Sequence, residues 1–214
     1  LWMYRNQNGG TGYLDLAQEA LAAIGISSDL LEEDYGSIFD RMKKNDTHSK
    51  NSKEVIFALY NNQTESLTGG YSRYFAFPSG DISKSYWTQV PLMETQWLNY
   101  SEGYVKMMRE SRDSRGDTRV KYNLGDENCG IDGGNRYWCN KYTGLMDGTT
   151  KAIRDCDIVY YRTALAVMMD AELKYYRQDY AGALESLNII ARRAYGKANF
   201  YTDETPDAVL AAIE

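Results

Sequence analysis

Residues Asp157 to Gly196 read DIVYYRTALAVMMDAELKYYRQDYAGALESLNIIARRAYG. Ile158, Tyr161, Leu165, Met168, Met169, Glu172 and Tyr176 recur at helical spacing and predict one face of a long helix. Ala164, Val167 and Ala171 form a second face of small residues, against which a neighbour can pack closely. Asp179 is placed to start another helix that turns Tyr180, Ala183, Leu184, Leu187, Ile190 and Ala194 inward, and Gly196 is placed to end it. The stretch therefore predicts a helical hairpin. Ala171 and Ala183 lie twelve positions apart, with Leu187 four further on. Small residues sit this way where the two helices of a tetratricopeptide repeat cross. Period alone supports a repeat-like α protein, and binding rather than catalysis.

Other segments extend the helical reading. A helix is expected from Gly12 to Ile24, with Leu14, Ala17, Leu21 and Ile24 on one face and Gly25 as its C-terminal cap. A second is expected from Asp29 to Lys44, striped by Leu31, Tyr35, Ile38, Phe39 and Met42, with Lys43 and Lys44 at its negative end. Asn45 to Lys53 reads as a polar loop, and Glu54 to Tyr60 (EVIFALY) as a buried extended segment. Between Asn61 and Thr150, Gly69-Gly70, Pro78, Gly80, Gly116, Gly125, Gly130 and Gly133-Gly134 break the pattern, with one more helix expected over Trp97 to Arg112. A long irregular insertion of this kind is usually functional or flexible. Near the end, Thr205 is placed to cap a further helix with Pro206 at its first position and Asp207 in its first turn. Val209, Leu210 and Ile213 begin that helix's apolar face.

Composition narrows the function classes. The 214 residues are 43% hydrophobic and 25% charged, enough for a real core. Net charge is −6 and the pI about 5.0, which argues against a nucleic-acid surface built from clustered Lys and Arg. No apolar run approaches the roughly 20 residues of a membrane span. The chain opens at Leu1 and stops at Glu214 inside an expected helix, so it reads as a fragment. Cys129, Cys139 and Cys156 match no zinc spacing, and Cys129 and Cys139 could pair across a loop.

The hairpin residues are more specific than their period. Arg162-Thr163-Ala164, Ala171-Glu172 and Leu187-Asn188-Ile189-Ile190-Ala191-Arg192-Arg193-Ala194 resemble the Arg-x-Ala, Ala-Glu and Leu-Asn-x-Val-Arg-x-Arg-Ala segments of the SusD/RagB family of nutrient-binding outer-membrane lipoproteins. Further segments follow in that family's order: Tyr35-Gly36-Ser37-Ile38-Phe39, Ser52-Lys53-Glu54-Val55-Ile56-Phe57, Gly116-Asp117-Thr118-Arg119, and Lys141-Tyr142 before the hairpin. Ala191 departs from the family's usual Arg.

The resemblance implies a mainly α, SusD-like scaffold of tetratricopeptide-like helical repeats, with few short strands and a long irregular insertion. It would be a single domain over 1–214: a helix pair and buried segment in 1–60, the insertion in 61–150, and the hairpin plus the start of a further helix in 151–214. It also implies a cell-surface glycan-binding component of the bacterial outer membrane. Such a component captures oligosaccharide or polysaccharide, or peptide in some members, for a SusC-like TonB-dependent transporter without cleaving it. Membrane association would run only through a lipid anchor that this chain does not carry. No cofactor and no nucleic-acid partner is expected.

Glycan recognition needs aromatic faces for sugar C–H surfaces and planar polar groups for hydroxyls. Tyr71, Tyr74, Tyr86, Trp87, Gln89, Trp97 and Tyr100 form the richest cluster of such residues, with Arg136, Tyr137 and Trp138 as a second. Of these, Tyr71, Tyr74, Tyr86, Trp87, Gln89, Trp97, Tyr100, Arg136 and Trp138 are the ligand-binding candidates. The competing reading is that these rings pin loops onto the helices as core. Asp126, Asn128 and Asp132 offer oxygen ligands in a Gly-rich loop, but their spacing departs from the EF-hand and a surface turn is the simpler reading. His48 is the one histidine and lies in a polar loop, which disfavours Ser-His and Cys-His chemistry. No catalytic or metal residue is therefore assigned. Arg162 and Glu172 are expected to tie helices together through polar contacts rather than touch ligand. Alternatives from other classes are a tetratricopeptide-type protein-interaction module and a helical glycoside hydrolase with two placed carboxylates.

Overall fold

A computed structural model describes residues 1–5, 10–41, 52–60, 77–78, 93–94, 100–124, 141, 145–146, 152–153 and 157–214. It is mainly helical with short strands, as the sequence predicts. The helices are α1 Trp2–Arg5, α2 Gly12–Ile24, α3 Ser37–Arg41, α4 Glu102–Arg115, α5 Val120–Asn123, α6 Thr163–Tyr176, α7 Tyr180–Tyr195 and α8 Pro206–Ile213. The strands are β1 Val55–Leu59, β2 Phe77–Pro78, β3 Met93–Glu94, β4 Leu145–Met146, β5 Ala152–Ile153 and β6 Ile158–Arg162. β1 pairs with β6; β2 and β3 are parallel; β4 and β5 are antiparallel. Two compact units result, one of Leu1–Glu33 with Tyr161–Glu214 and one of Asp34–Tyr160.

The first unit is organised around α6. Ala171 on α6 and Ala183, Leu184 and Leu187 on α7 bury together with Val209 of α8. Ala171 and Ala183 are 0% exposed, so a larger side chain at either position would have to displace its neighbours. Elsewhere on α6, Ala166 and Leu173 pack with Leu14 and Leu21 of α2. Polar contacts fix the arrangement. Ser186 donates to Asp170 Oδ2 at 2.6 Å, and Lys174 Nζ reaches both Asp170 Oδ2 at 2.8 Å and Ser186 Oγ at 2.9 Å. Asn188 Oδ1 accepts from Phe200 N at 3.0 Å and Tyr201 N at 2.9 Å, and its Nδ2 donates to Tyr201 O, which holds the approach to α8. Arg177 pairs with Asp15 of α2.

An Ala183→Leu substitution is expected to destabilise the chain by about 2–3 kcal/mol through overpacking at this crossing. Urea denaturation checks this, and an unchanged midpoint would mean that the helices do not meet at these alanines.

Helix ends follow the sequence. Gly25 (φ 67°) and Gly196 (φ 69°) close α2 and α7 in the left-handed conformation. Asp179 caps α7, its Oδ1 accepting from Gly182 N at 3.0 Å. Thr205 occupies the cap position of α8 but makes no side-chain cap bond; Asp203 Oδ1 instead accepts from Thr205 N at 3.0 Å.

Several expectations need correction. The hairpin's first helix begins at Thr163, not Asp157, because Ile158–Arg162 is a strand paired with β1. Its β-branched and aromatic residues suit a pleated surface. The buried face of α6 is the small-residue one: Ala164, Ala166, Val167 and Ala171 are buried, whereas Leu165 and Met169 are exposed. On α2, Ile24 is likewise exposed.

The helix expected over Asp29–Lys44 is broken into a 3₁₀ turn at Ser28–Leu30 and the short α3. Gly36 sits between them, at a point where an added Cβ would collide with the Tyr122 ring. Ser37 then starts α3, its Oγ donating to Asp34 O at 2.8 Å. Leu31, Tyr35, Ile38 and Phe39 of the predicted stripe are nevertheless all buried. The helix expected over Trp97–Arg112 runs from Glu102 to Arg115. Glu54–Tyr60 is extended as expected but not buried as a run: Glu54 is 0% exposed, while Ile56, Phe57, Leu59 and Tyr60 are exposed.

Candidate functional site

In the second unit, Ser101 opens α4 by accepting from Tyr104 N at 3.2 Å, and Gly116 (φ 72°) closes it. Asp117 follows immediately and is 4% exposed. Its carboxylate accepts from Arg119 Nε at 2.9 Å, Arg119 Nη2 at 2.7 Å, Arg119 N at 3.0 Å and Ser111 Oγ at 2.9 Å. Burial pushes this carboxyl up, but the Arg119 hydrogen bonds and charge and the Ser111 hydroxyl outweigh that and hold it below the ordinary carboxylate range. The Asp-x-Arg step is thus a clamp between α4 and α5. It serves the cluster of Val105, Met108, Val120 and Leu124.

Tyr100 is the candidate ligand residue that falls among the described residues. It is half-buried against that cluster, its ring 4.8 Å from that of Tyr104. At least part of its role is therefore to anchor the chain that arrives from the aromatic-rich segment. Tyr71, Tyr74, Tyr86, Trp87, Gln89, Trp97, Arg136 and Trp138 lie outside the described residues, as do His48, the three cysteines, and Asp126, Asn128 and Asp132.

A second aromatic cluster is built from Tyr35, Phe39 and Tyr122, with Ile38. The Tyr35 and Phe39 rings meet edge-on at 5.2 Å, and Tyr35 and Tyr122 at 6.0 Å. Tyr35 donates its phenol to Asn123 Oδ1 at 2.9 Å. Lys141 Nζ lies over two of these rings, 5.5 Å from the Phe39 centroid and 5.7 Å from that of Tyr35. The sequence marks Lys141 only as part of a Lys-aromatic pair and carries no signal for this contact.

The strand pair adds aromatic surface, including Phe57, which the sequence places in a buried segment. Phe57 and Tyr160 are about half exposed, with ring centroids 6.0 Å apart. The only signal available was that each strand is rich in aromatics; apolar runs alone do not say what covers them.

In the first unit, Glu172 pairs with Arg5 Nε at 3.2 Å, the helix-tying role expected of it. Burial, then the Glu172 charge, push the adjacent Tyr176 phenol up, against the Arg5 cation. Arg162 lies on β6 and is half-buried. Among the described residues, no group of His, Cys, Asp and Glu could hold a metal ion, and no helix is long and apolar enough to cross a membrane.

Neither a protein-family model nor a curated protein matches this chain. Solved structures do. A SusD superfamily protein from Bacteroides fragilis matches with a TM-score of 0.71 at 19% identity, over 95% of this chain and 44% of its own. NanU from B. fragilis matches with a TM-score of 0.65 at 21% identity, over 99% of this chain and 49% of its own. Surface glycan-binding protein A from Bacteroides thetaiotaomicron, in complex with laminarihexaose, matches with a TM-score of 0.63 at 16% identity, over 98% of this chain and 48% of its own. The chain spans about half the length of these structures. What it shares with them is the SusD-like fold.

Proposed function

We propose that this SusD-like chain belongs to a cell-surface glycan-binding component that holds oligosaccharide or polysaccharide without cleaving it. The observation that carries the reading is the fold likeness over nearly the whole chain to SusD superfamily structures, one of them in complex with laminarihexaose. The Tyr- and Trp-rich sequence between Asn61 and Thr150 supports it, since it supplies the ring faces that sugar recognition uses. Tyr71, Tyr74, Tyr86, Trp87, Gln89, Trp97, Tyr100, Arg136 and Trp138 are the proposed contacts.

A binding role fits how four of the described carboxylates are used. Asp117 holds Arg119, Asp170 holds Lys174 and Ser186, Asp179 caps α7, and Glu172 pairs with Arg5. Each serves the scaffold. The partner in this reading is a SusC-like TonB-dependent transporter, and the location is the outer face of the bacterial outer membrane.

Affinity electrophoresis against a panel of polysaccharides, with calorimetric titration of laminarihexaose, tests the proposal. Retardation by at least one polysaccharide without release of reducing sugar is the expected result. If no saccharide binds, the glycan reading fails; capture of peptides in its place would support a peptide-binding role on the same scaffold. Release of reducing sugar that one carboxylate substitution abolishes would make the chain an enzyme.

A further inference from the structure

We infer that Tyr104 is a positioning residue for Tyr100, holding that ring in one orientation as a face for a sugar. The inference rests on the glycan reading above and concerns the proposed contact that lies among the described residues. Sequence order brings the two rings together. Ser101 is the N-cap of α4, so Tyr100 precedes the cap, and Tyr104 and Val105 are the third and fourth helical residues. An apolar residue before a cap packs toward the fourth helical residue. Tyr100 does so, lying against the buried cluster that contains Val105. Tyr104 packs against the same cluster, and its backbone N–H donates to Ser101 Oγ at 3.2 Å. Its ring centroid lies 4.8 Å from that of Tyr100, with the planes inclined at 40°, within the range of favourable aromatic pairing.

The consequence falls on Tyr100. It stands outside the helix, so α4 does not by itself set its ring, whereas Tyr104 is carried by the capped first turn. Both tyrosines are half-buried, so neither is sealed into the core. Gly103, next to Tyr104, is exposed, and a Cβ there would meet nothing within 4 Å beyond its chain neighbours. The first turn of α4 therefore has open space beside it. A ring already held in place gives up less rotamer freedom when a ligand stacks on it. Phenylalanine at 104 preserves the ring pair; leucine keeps an apolar side chain on the cluster and removes it.

Affinity measurements on the full chain test the inference through a double-mutant cycle. The titrant is laminarihexaose where it binds, and otherwise the panel polysaccharide that most retards the wild type. Tyr104→Leu is expected to bind about three- to tenfold more weakly and Tyr104→Phe within about twofold of wild type. Tyr100→Leu is expected to lose about tenfold or more, and the double variant Tyr100→Leu/Tyr104→Leu no more than Tyr100→Leu alone. That non-additivity is what separates positioning from a general loss of structure, which would weaken binding in both backgrounds. Should Tyr104→Leu fail to fold, by urea denaturation, Tyr104→Met takes its place. Wild-type affinity in Tyr104→Leu, or in Tyr100→Leu, overturns the inference and leaves the glycan reading standing. A loss from Tyr104→Leu that persists in full without Tyr100 also overturns it, since Tyr104 would then act by another route. A wild type that no saccharide of the panel binds removes the glycan reading, and the positioning role with it.

Discussion

Replacing Asp117 by asparagine is expected to lower the stability of the chain by about 3 kcal/mol at neutral pH. The substitution keeps the shape of the side chain but removes the charge that Arg119 and Ser111 converge on. Two of the four hydrogen bonds come from the guanidinium, and a charge-assisted bond is roughly twice as strong as a neutral one. Asn can accept with only one oxygen, so its amide nitrogen would face a donor across a site that is 4% exposed.

The effect also has a pH signature. The folded-state carboxyl lies below its ordinary value, so its stabilisation is complete above the unfolded pKa of about 3.9. That stabilisation is lost as pH falls through the lower folded value. Urea midpoints of wild type and Asp117→Asn should therefore differ by a constant amount from pH 7 to about pH 5 and converge in acid. Parallel curves down to the acid transition would show that the carboxylate charge is not what the clamp uses.

The second large effect is expected at Phe39. Truncation to alanine removes a ring that is 1% exposed and touches Tyr35 and Tyr122, and should cost about 3–5 kcal/mol. It also removes one of the two rings beneath Lys141. A Phe39→Leu variant fills most of the volume and should recover most of the stability. Measured loss below about 1 kcal/mol for Phe39→Ala would mean that this cluster is not a core.

What could be read from the sequence divides along a physical line. The ends at Gly25, Asp179 and Gly196 were legible because cap chemistry is local: a left-handed glycine or an Asx side chain needs only its own turn. The alanine face of the hairpin was legible because close helix approach has a residue-size signature. The start of the hairpin was not. Ile158-Val159-Tyr160-Tyr161-Arg162 fits a helical stripe and a strand equally, and the choice is made by pairing with β1, about a hundred positions earlier. Tyr122, a residue that no local window contains, leaves no room for a Cβ at Gly36, between the two pieces of the second predicted helix. The exposure of Phe57 and Tyr160 was illegible for the same reason, since apolarity does not name a covering partner.

The site was legible as composition rather than arrangement. Tyr100 shows the difference: its sequence context offers a ring, and only the structure shows that the ring packs on the Val105/Met108 cluster. The contact of Lys141 with the Tyr35 and Phe39 rings is likewise a matter of arrangement that composition does not carry.

The central claim is a division of labour, in which the α6–α7 hairpin is scaffold and the aromatic-rich segment before it recognises glycan. Hydrogen–deuterium exchange of the full chain, with and without a saturating polysaccharide selected by the electrophoresis panel, tests this most directly. The account predicts new protection in peptides spanning 71–100 and 134–141 and none in 163–195. Protection confined to the hairpin helices, with 71–100 and 134–141 unchanged, would contradict it.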